Sequence, residues 1–473
     1  MSLTLWLFVL GAIYLCSLVF ATVSARKRNE GDEDFLTAGG DLGFMLGSLT
    51  VAATLFSTFT LLGMPDFFRT HGVGGWIFLA VSDAALAFAI IWFGIHLRRK
   101  ATEKGFRGVA GLMQDCYGNR WSGYIYLAGV FIFMVPYVSI QIRGISIFMS
   151  AIFPEFMPIW GWATCIVLVM LTYSELGGLK AIIYADAIQG VILLSVTLLI
   201  AYGCISSFGN LQTMFEEVRI SSEALLSTPG PKGLLTSQFL IASFLVIVLV
   251  PVTQPQMTIR LVIMRDVKSL CRMAVLLSLF AFAIIAATTA IGMYGAVKYP
   301  DLSTSDFLAK ALIFDQLPII GATVAIGLIA AAISTADSQL FALGSELRSV
   351  VTADEKKLMT ITKSSIVIFA LTALITAIFT GDELVLLARL SFAGTAMLAP
   401  LIIAAVLTPG KAGLEVMLAS GGALLLFIGS IFGFIPEVLG GYRLDLLLLV
   451  VSFVIAALSI LLRSMQQPIT LKT

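Results

Sequence analysis

The chain has 473 residues, of which 59% are hydrophobic and 12% charged, with a formal net charge of +1. A mean hydropathy of +1.01 leaves too few polar side chains to cover a soluble globule of this length, so composition points to an integral membrane protein, and the helix-length spans below make it an all-α one. With a near-neutral charge and the bases spread over the membrane rim, no nucleic-acid partner is expected. No G-x-x-x-x-G-K-[ST] run is present, so ATP is not the expected source of energy.

Apolar windows of about 20 residues, each enough to cross a bilayer, fall at 3–25, 42–63, 73–97, 121–150, 156–175, 181–207, 237–259, 273–297, 319–346, 364–380, 383–407, 412–434 and 444–462. These predict about 13 transmembrane helices. The first lacks an n-region charge and a small-residue cleavage site, and reads as a retained span. With the amino terminus outside, the inner loops carry the basic clusters Arg26–Arg28 and Arg98–Arg120, together with a group from Arg260 to Arg272, while outer loops hold isolated bases such as Arg69, Arg219 and Lys232. The positive-inside rule then predicts a cell-membrane protein with its amino terminus outside and its carboxyl terminus cytoplasmic. The five cysteines show no paired spacing, and His71 and His96 have no partner in the sequence, so neither a disulfide nor a histidine metal site is expected. The stretch 208–236, with P-G-P at 229–231, reads as an outer loop with room for a short helix.

Three windows depart from regular apolar helices. The second carries Gly47, the run A-A-T-L-F-S-T-F-T from Ala52 to Thr60, then Gly63 and Pro65. The seventh carries V-P-V-T-Q-P-Q from Val250 to Gln256, whose two prolines are incompatible with a regular helix. Broken backbone at membrane depth is tolerated where it lines a cavity or is buried in protein. Two broken helices five positions apart are the trace of a five-helix unit repeated in inverted topology. In the ninth window Ala331, Ser334, Thr335 and Ser338 recur at i, i+3, i+4 and i+7, an Ala and three hydroxyls on one stripe with Asp337 beside it. Oxygen ligands with little bulk, at membrane depth, suit a small hard cation.

A solute pocket is expected between the breaks, bounded by Thr54, Ser57 and Thr58 on helix two, Gln141 on helix four, Thr253 and Gln254 on helix seven, and helix eleven. Arg143 and Arg389 fall inside spans at about 3 kcal/mol each, so each is expected to face a cavity, an acid or an interface. Either is suited to gripping a substrate carboxylate in bidentate fashion. Arg389 also lies close enough to its helix end to reach a headgroup. Asp186 has a second reading as the ion-pair partner of nearby bases such as Lys180.

Motifs along nearly the whole chain resemble the sodium/solute symporter family, including its sodium/proline and sialic acid branches. G-G-L-K-A-I-I-Y-A-D-A-I-Q from Gly177 to Gln189 is similar to the segment opening that family's fifth core helix. A-A-A-I-S-T-A-D-S-Q-L from Ala330 to Leu340 resembles its eighth core helix, and Q-P-Q-M-T-I-R-L from Gln254 to Leu261 the region after its sixth. The resemblance implies a five-plus-five inverted-repeat core with one extra helix before and two after. The corresponding division is 1–40 for the first helix and loop, 41–207 for the first repeat, 208–236 for the outer loop, 237–410 for the second repeat, and 411–473 for two further helices and a tail.

Carried over residue by residue, the resemblance implies a sodium ion (Na+) held by the carbonyls of Ala53, Phe56 and Ala331 and the hydroxyls of Ser334 and Thr335. It also implies a second cation near Asp186, Asp337 and Ser338. Two departures stand out: Leu55 replaces an acid of the proline branch, and Asp337 replaces a serine of the sialic acid branch. The expected activity is symport of a small solute with sodium, the solute an organic anion or amino acid, with no enzyme chemistry and no oligomer required. Sugar or other neutral-solute symport, and a transporter-like sensor with a separate signalling partner, are the alternatives. A channel would want a repeated pore loop, and an enzyme a nucleophile paired with a base. Neither is visible in the sequence.

Overall fold

The computed structural model describes residues 2–26, 41–352, 354–379, 381 and 383–466. Long apolar runs give α1 (Leu3–Arg26), α4 (Ala80–Lys104), α6 (Arg120–Ile152), α7 (Ile159–Ser206), α12 (Val267–Lys298), α14 (Pro318–Val350), α15 (Glu355–Phe379), α18 (Leu414–Ile431) and α19 (Leu444–Gln466). Between them lie broken or short elements: α2 (Phe44–Leu55) with α3 (Met64–His71), α5 (Val109–Tyr117), α8 (Leu211–Ser221), α9 (Ser237–Val248), α10 (Val250–Thr253), α11 (Pro255–Ile263), α13 (Thr304–Ala309), and α16 (Leu384–Ala396) with α17 (Ala399–Leu407). Helix starts follow local chemistry. Asn119, Asn210, Thr236 and Asp266 each accept a backbone N–H of the first turn that has no intrahelical acceptor. The N–H of Ser269 holds the Asp266 carboxyl below the usual range.

Among the described residues, nine helices are long and apolar enough to cross a membrane, or up to eleven if each bent pair is one span. Two shorter apolar helices, Ile159–Leu171 and Ser237–Val248, fall in two further sequence windows. The expected count of 13 is therefore not reached by length and composition. The shortfall lies in these two shorter helices, each within 10–17 residues, and the first of them leads into Ile182–Ser206 in a 48-residue helix, α7, that joins two windows expected to be separate. A straight helix would place Trp162 and Ile192 about 45 Å apart. Yet Trp162 shares a cavity wall with Ile326 and Ile329 of α14, and Ile192 packs at Gly327 of the same helix. The two apolar arms of α7 therefore lie alongside one level of α14, and the helix cannot run straight.

Two groups of helices form around the breaks. Helix α12 packs along α4 and along both halves of the broken α2–α3 pair, while α14 packs on α7, α6, α15 and α1. Most core side chains belong to one continuous apolar cluster. In the outer loop, α8 buries Met214 and Val218 and packs on α12.

After α3 the chain turns at Gly72, whose φ is 85°, and a Cβ there would sit 2.3 Å from the Leu225 carbonyl oxygen. Gly72→Ala thus combines a left-handed backbone with a backbone clash, and is expected to cost about 1–3 kcal/mol. Thermal unfolding of the detergent-solubilised variant checks this; an unchanged midpoint would show that the loop does not seat on the turn.

Candidate functional site

The break between α2 and α3 is built by redirected hydrogen bonds. In a regular helix the Ser57 N–H would bond to the Ala53 carbonyl, but here it donates to Thr60 Oγ1 at 3.0 Å. The Thr58 N–H donates to Gln141 Oε1 on α6 at 3.2 Å, and Phe56 is extended, with φ −95° and ψ 111°. A π-helical turn over Phe59–Gly63 follows, and the two halves meet at 57°. The Ala53 carbonyl, released from its own helix, is met by α14: Thr335 Oγ1 donates to it at 3.1 Å and Ser334 Oγ lies at 3.5 Å. Ala53, Phe56, Ala331, Ser334 and Thr335 are all buried. The Ala53 carbonyl and the Ser334 and Thr335 hydroxyls thus gather three oxygens, the donor type a small hard cation takes.

Beside this lies a polar node that joins Asp186 and Ser338, grouped together in the sequence, to two residues the sequence reading left out of the site, Arg260 and Thr50. Arg260, assigned above to an inner loop, is 1% exposed on α11 and ion-paired at 2.8 Å with Asp186 of α7, itself fully buried. Its Nε donates to Thr50 Oγ1 at 2.9 Å, one terminal nitrogen to the Gln256 carbonyl at 2.9 Å, and the other also to Ser338 Oγ at 2.8 Å. Thr50 donates to Asp186 Oδ2 and Ser334 to Asp186 Oδ1, each at 2.5 Å. Asp186 is thus ion-paired with Arg260, a partner that the expectation of nearby bases such as Lys180 did not include. Arg260 was legible only as a base four residues after Gln256 on a proline-started arm, and charge counting alone sends such a base to the membrane rim. Asp337 differs from Asp186: it is fully buried, and neither carboxylate oxygen has a hydrogen-bond partner.

The second break follows from proline. Pro255 has no N–H and drives Gln254 into an extended conformation, φ −91° and ψ 115°, which separates α10 from α11. Gln254 Nε2 then donates to Thr395 Oγ1 of α16 at 2.9 Å, and Gln256 Nε2 to Gln254 Oε1 at 3.1 Å. Of the expected pocket residues, Ser57 and Thr58 have buried hydroxyls without a partner, as does Gln256 Oε1. Thr54 and Thr253 turn their hydroxyls back to their own helices, on Thr50 and Leu249. Tyr137 stacks edge-on against Phe392, placing aromatic surface between α6 and α16. Arg143 is half-buried beside Gly144, where Thr58 packs. At the far end of α3 a cavity of about 220 Å³ is lined by Gly63, Thr70, Lys232, Ser303 and Glu383.

Arg389 sits apart from the breaks in a structural network. It pairs with Asp445 of α19 at 2.6 Å, donates to Ser243 of α9 at 2.5 Å, and lies 4.7 Å over the Phe239 ring.

Paired broken helices around buried polar groups, with a hydroxyl stripe against a freed carbonyl, are the architecture of a secondary transporter of the inverted-repeat class. A profile of the sodium:solute symporter family matches residues 35–409, and the chain belongs to that family. It is 24% identical over 341 residues to the sodium/pantothenate symporter of Haemophilus influenzae, covering 69% of this chain and 68% of the relative. It is 24% identical over 391 residues to the high-affinity proline transporter of Bacillus subtilis, covering 78% and 80%. A solved Na+-coupled sialic acid symporter, in a substrate-bound outward-open state, superposes with a TM-score of 0.79 over 98% of each chain at 14% identity, a likeness of fold. The protein is thus a multi-pass membrane transporter and not an enzyme, in a family that couples solutes to sodium.

Arg389→Gln would leave Asp445 with the longer Arg443 ion pair at 3.2 Å and the Leu446 N–H at 2.9 Å. It is expected to destabilise the protein by on the order of 3 kcal/mol, with Arg389→Gln/Asp445→Asn recovering part of that loss. A double-mutant cycle of unfolding midpoints measures the coupling, and additive losses would refute the pairing.

Proposed function

We propose that this protein imports a small organic acid together with sodium, the ion bound between the α2 break and α14 and the solute between the two breaks. The observation that carries the sodium reading is the convergence of the Ser334 and Thr335 hydroxyls on the Ala53 carbonyl. Phe56 and Ala331 supply the remaining carbonyls of the proposed set. The reading takes residues 41–207 and 237–410 as the two inverted units, flanked by 1–40, 208–236 and 411–473, with the amino terminus outside and no oligomer required. Alternating access then exposes the site first to one side and then to the other.

For the solute, the support is chemical. Pantothenate, proline and sialic acid, the substrates of the compared transporters, each carry a carboxylate beside further hydrogen-bonding groups. The arm after the first break presents its positive end to the gap, which favours an anionic group. Ser57, Thr58 and Gln256 offer unpartnered oxygens to hydroxyls or amides, with Thr54, Gln141, Thr253, Gln254 and Arg143 around them. A neutral polyhydroxy solute is the second reading, favoured by the commitment of Arg389 to Asp445 and by the uncharged character of those unpartnered groups.

Thermal stabilisation of the purified protein by sugars, amino acids and hydroxy or amide-bearing carboxylates, each with and without sodium, separates the two readings. Sodium-dependent stabilisation by the carboxylates is expected. Stabilisation by sugars alone would move the neutral reading ahead, and no dependence on sodium would count against coupling. For the ion, Ser334→Ala and Thr335→Ala each remove an oxygen from a shaped site, and sodium affinity is expected to fall about tenfold or more. Uptake measured against sodium concentration reads this, and an unaltered half-saturating concentration in both variants would displace the site.

A further inference from the structure

A groove of about 500 Å³ runs between α6 and α15 with α14 as its floor, walled by Tyr124, Ala128, Phe131 and Ile132 of α6, Leu347 of α14 and Ile368 of α15. Apart from Tyr124 and Ser365 its lining is apolar, and Tyr124, Ala128, Ile132 and Ile368 are exposed, so it opens outward from three apolar spans. In a bilayer the medium facing such an opening is hydrocarbon, and an acyl chain fills it without stranding any polar group. The back is sealed. A Cβ at Gly344 of α14 would lie 3.0 Å from Thr362 and 3.1 Å from Ile366 of α15, and the Phe131 and Phe369 rings meet at 5.3 Å. The space exists because Ala128 and Ser365, on facing walls, are small.

Both walls carry a base at one end. Arg120, Tyr124, Leu127 and Phe131 recur at i, i+4, i+7 and i+11, so Arg120 stands on the groove face of α6 one turn beyond Tyr124. Lys357, Ile361 and Ile368 recur at i, i+4 and i+11, which puts Lys357 on the groove face of α15. The two helices run parallel, since Phe131 meets Phe369 and, further along both, Ser139 donates to the Ala373 carbonyl at 2.9 Å. Arg120 and Lys357 therefore flank the same end, both exposed, and neither forms an ion pair among the described residues. Trp121 and Tyr124, 66% and 41% exposed, mark the interfacial level between these bases and the apolar groove.

We propose that this groove is a phospholipid site, with one acyl chain between α6 and α15 and an anionic headgroup between Arg120 and Lys357. The order base, aromatic, apolar groove matches the order headgroup, interface, acyl chain in a phospholipid. Basic clefts between spans are the usual seat of anionic headgroups, and the orientation proposed above turns this end to the cytoplasmic leaflet, where such lipids are found. A seated chain packs on Leu347 of α14, the helix whose Ser334 and Thr335 meet the freed Ala53 carbonyl. Occupancy is therefore expected to stabilise the folded protein.

The experiment adds phosphatidylglycerol or phosphatidylcholine, with the same acyl chains, to the purified full-length protein in detergent. Lipids retained per chain are counted by native mass spectrometry, and thermal stabilisation gives a second readout. Wild type is expected to retain one phosphatidylglycerol in preference to phosphatidylcholine and to be stabilised by it. A base near an anionic headgroup is worth about fivefold in affinity, so Arg120→Gln and Lys357→Gln are each expected to lower the preference by about that factor. Arg120→Gln/Lys357→Gln is expected to abolish it. Ala128→Trp, which fills the groove, is expected to lose retention of both lipids, and Lys268→Gln, an exposed base outside the groove, to change nothing. Equal retention of the two lipids by wild type would overturn the proposal, as would an undiminished preference in the double variant. So would an equal loss in Lys268→Gln, which would show an attraction general to the rim, or full retention in a folded Ala128→Trp protein. Because Arg120 and Lys357 are exposed, their variants decide the headgroup assignment even if Ala128→Trp fails to fold.

Discussion

A carbonyl released from its helix inside a membrane has no water to turn to, and this one constraint organises the centre of the protein. The Ala53 carbonyl loses its helical donor because Ser57 bonds to Thr60, and the loss is made good by hydroxyls from a helix 280 residues later in the chain. An unsatisfied backbone group in hydrocarbon costs several kcal/mol. The break therefore exists only while α14 is docked against it. The same reasoning applies to the Thr58 N–H, which takes its acceptor from Gln141. Fold and proposed site are in this sense one object, since the groups that stabilise the interruption are those assigned to the ion and the solute in the proposed function.

Charge is handled by a parallel rule. Asp186 and Arg260 are buried together, and every nitrogen of the guanidinium has an oxygen partner. An ion pair of this kind adds little net stability over an apolar replacement, but breaking one half of it is costly. Its members lie on α7 and α11, with Thr50 on α2 and Ser338 on α14. Relative movement of these elements therefore has to carry the pair intact or exchange its partners.

Much of this was readable before any coordinates. Periodicity alone found the hydroxyl stripe of α14, since Ser334 and Thr335 are adjacent and Ala331 and Ser338 complete the face. Pro251 and Pro255 announced the second break because proline removes a donor whatever its surroundings. The first break was visible only as a crowding of hydroxyls, and its cause, the capture of the Ser57 N–H by Thr60, depends on geometry that composition does not carry. Arg260 escaped for a different reason. Placing a base at the rim presumes that its charge is unpaired, whereas its partner Asp186 lies 74 residues away in the chain. Arg389 was read correctly as needing an acid or a cavity, but Asp445 was hidden by the same long separation. The joining of the windows 156–175 and 181–207 into one helix, α7, was not anticipated either.

The link between Arg389 and Asp445 bears on how far such a chain can be cut or grafted. Helix α19 falls outside the two five-helix units of the proposed division, yet it supplies the countercharge for an arginine buried on α16. A version shortened to the repeats would strand that guanidinium in an apolar wall next to Phe239, and a chimaera that replaced α19 would have to bring an acid at the same height. The accessory helix is thus part of the electrostatic structure of the core, and modularity in this protein ends where the sequence repeat does not.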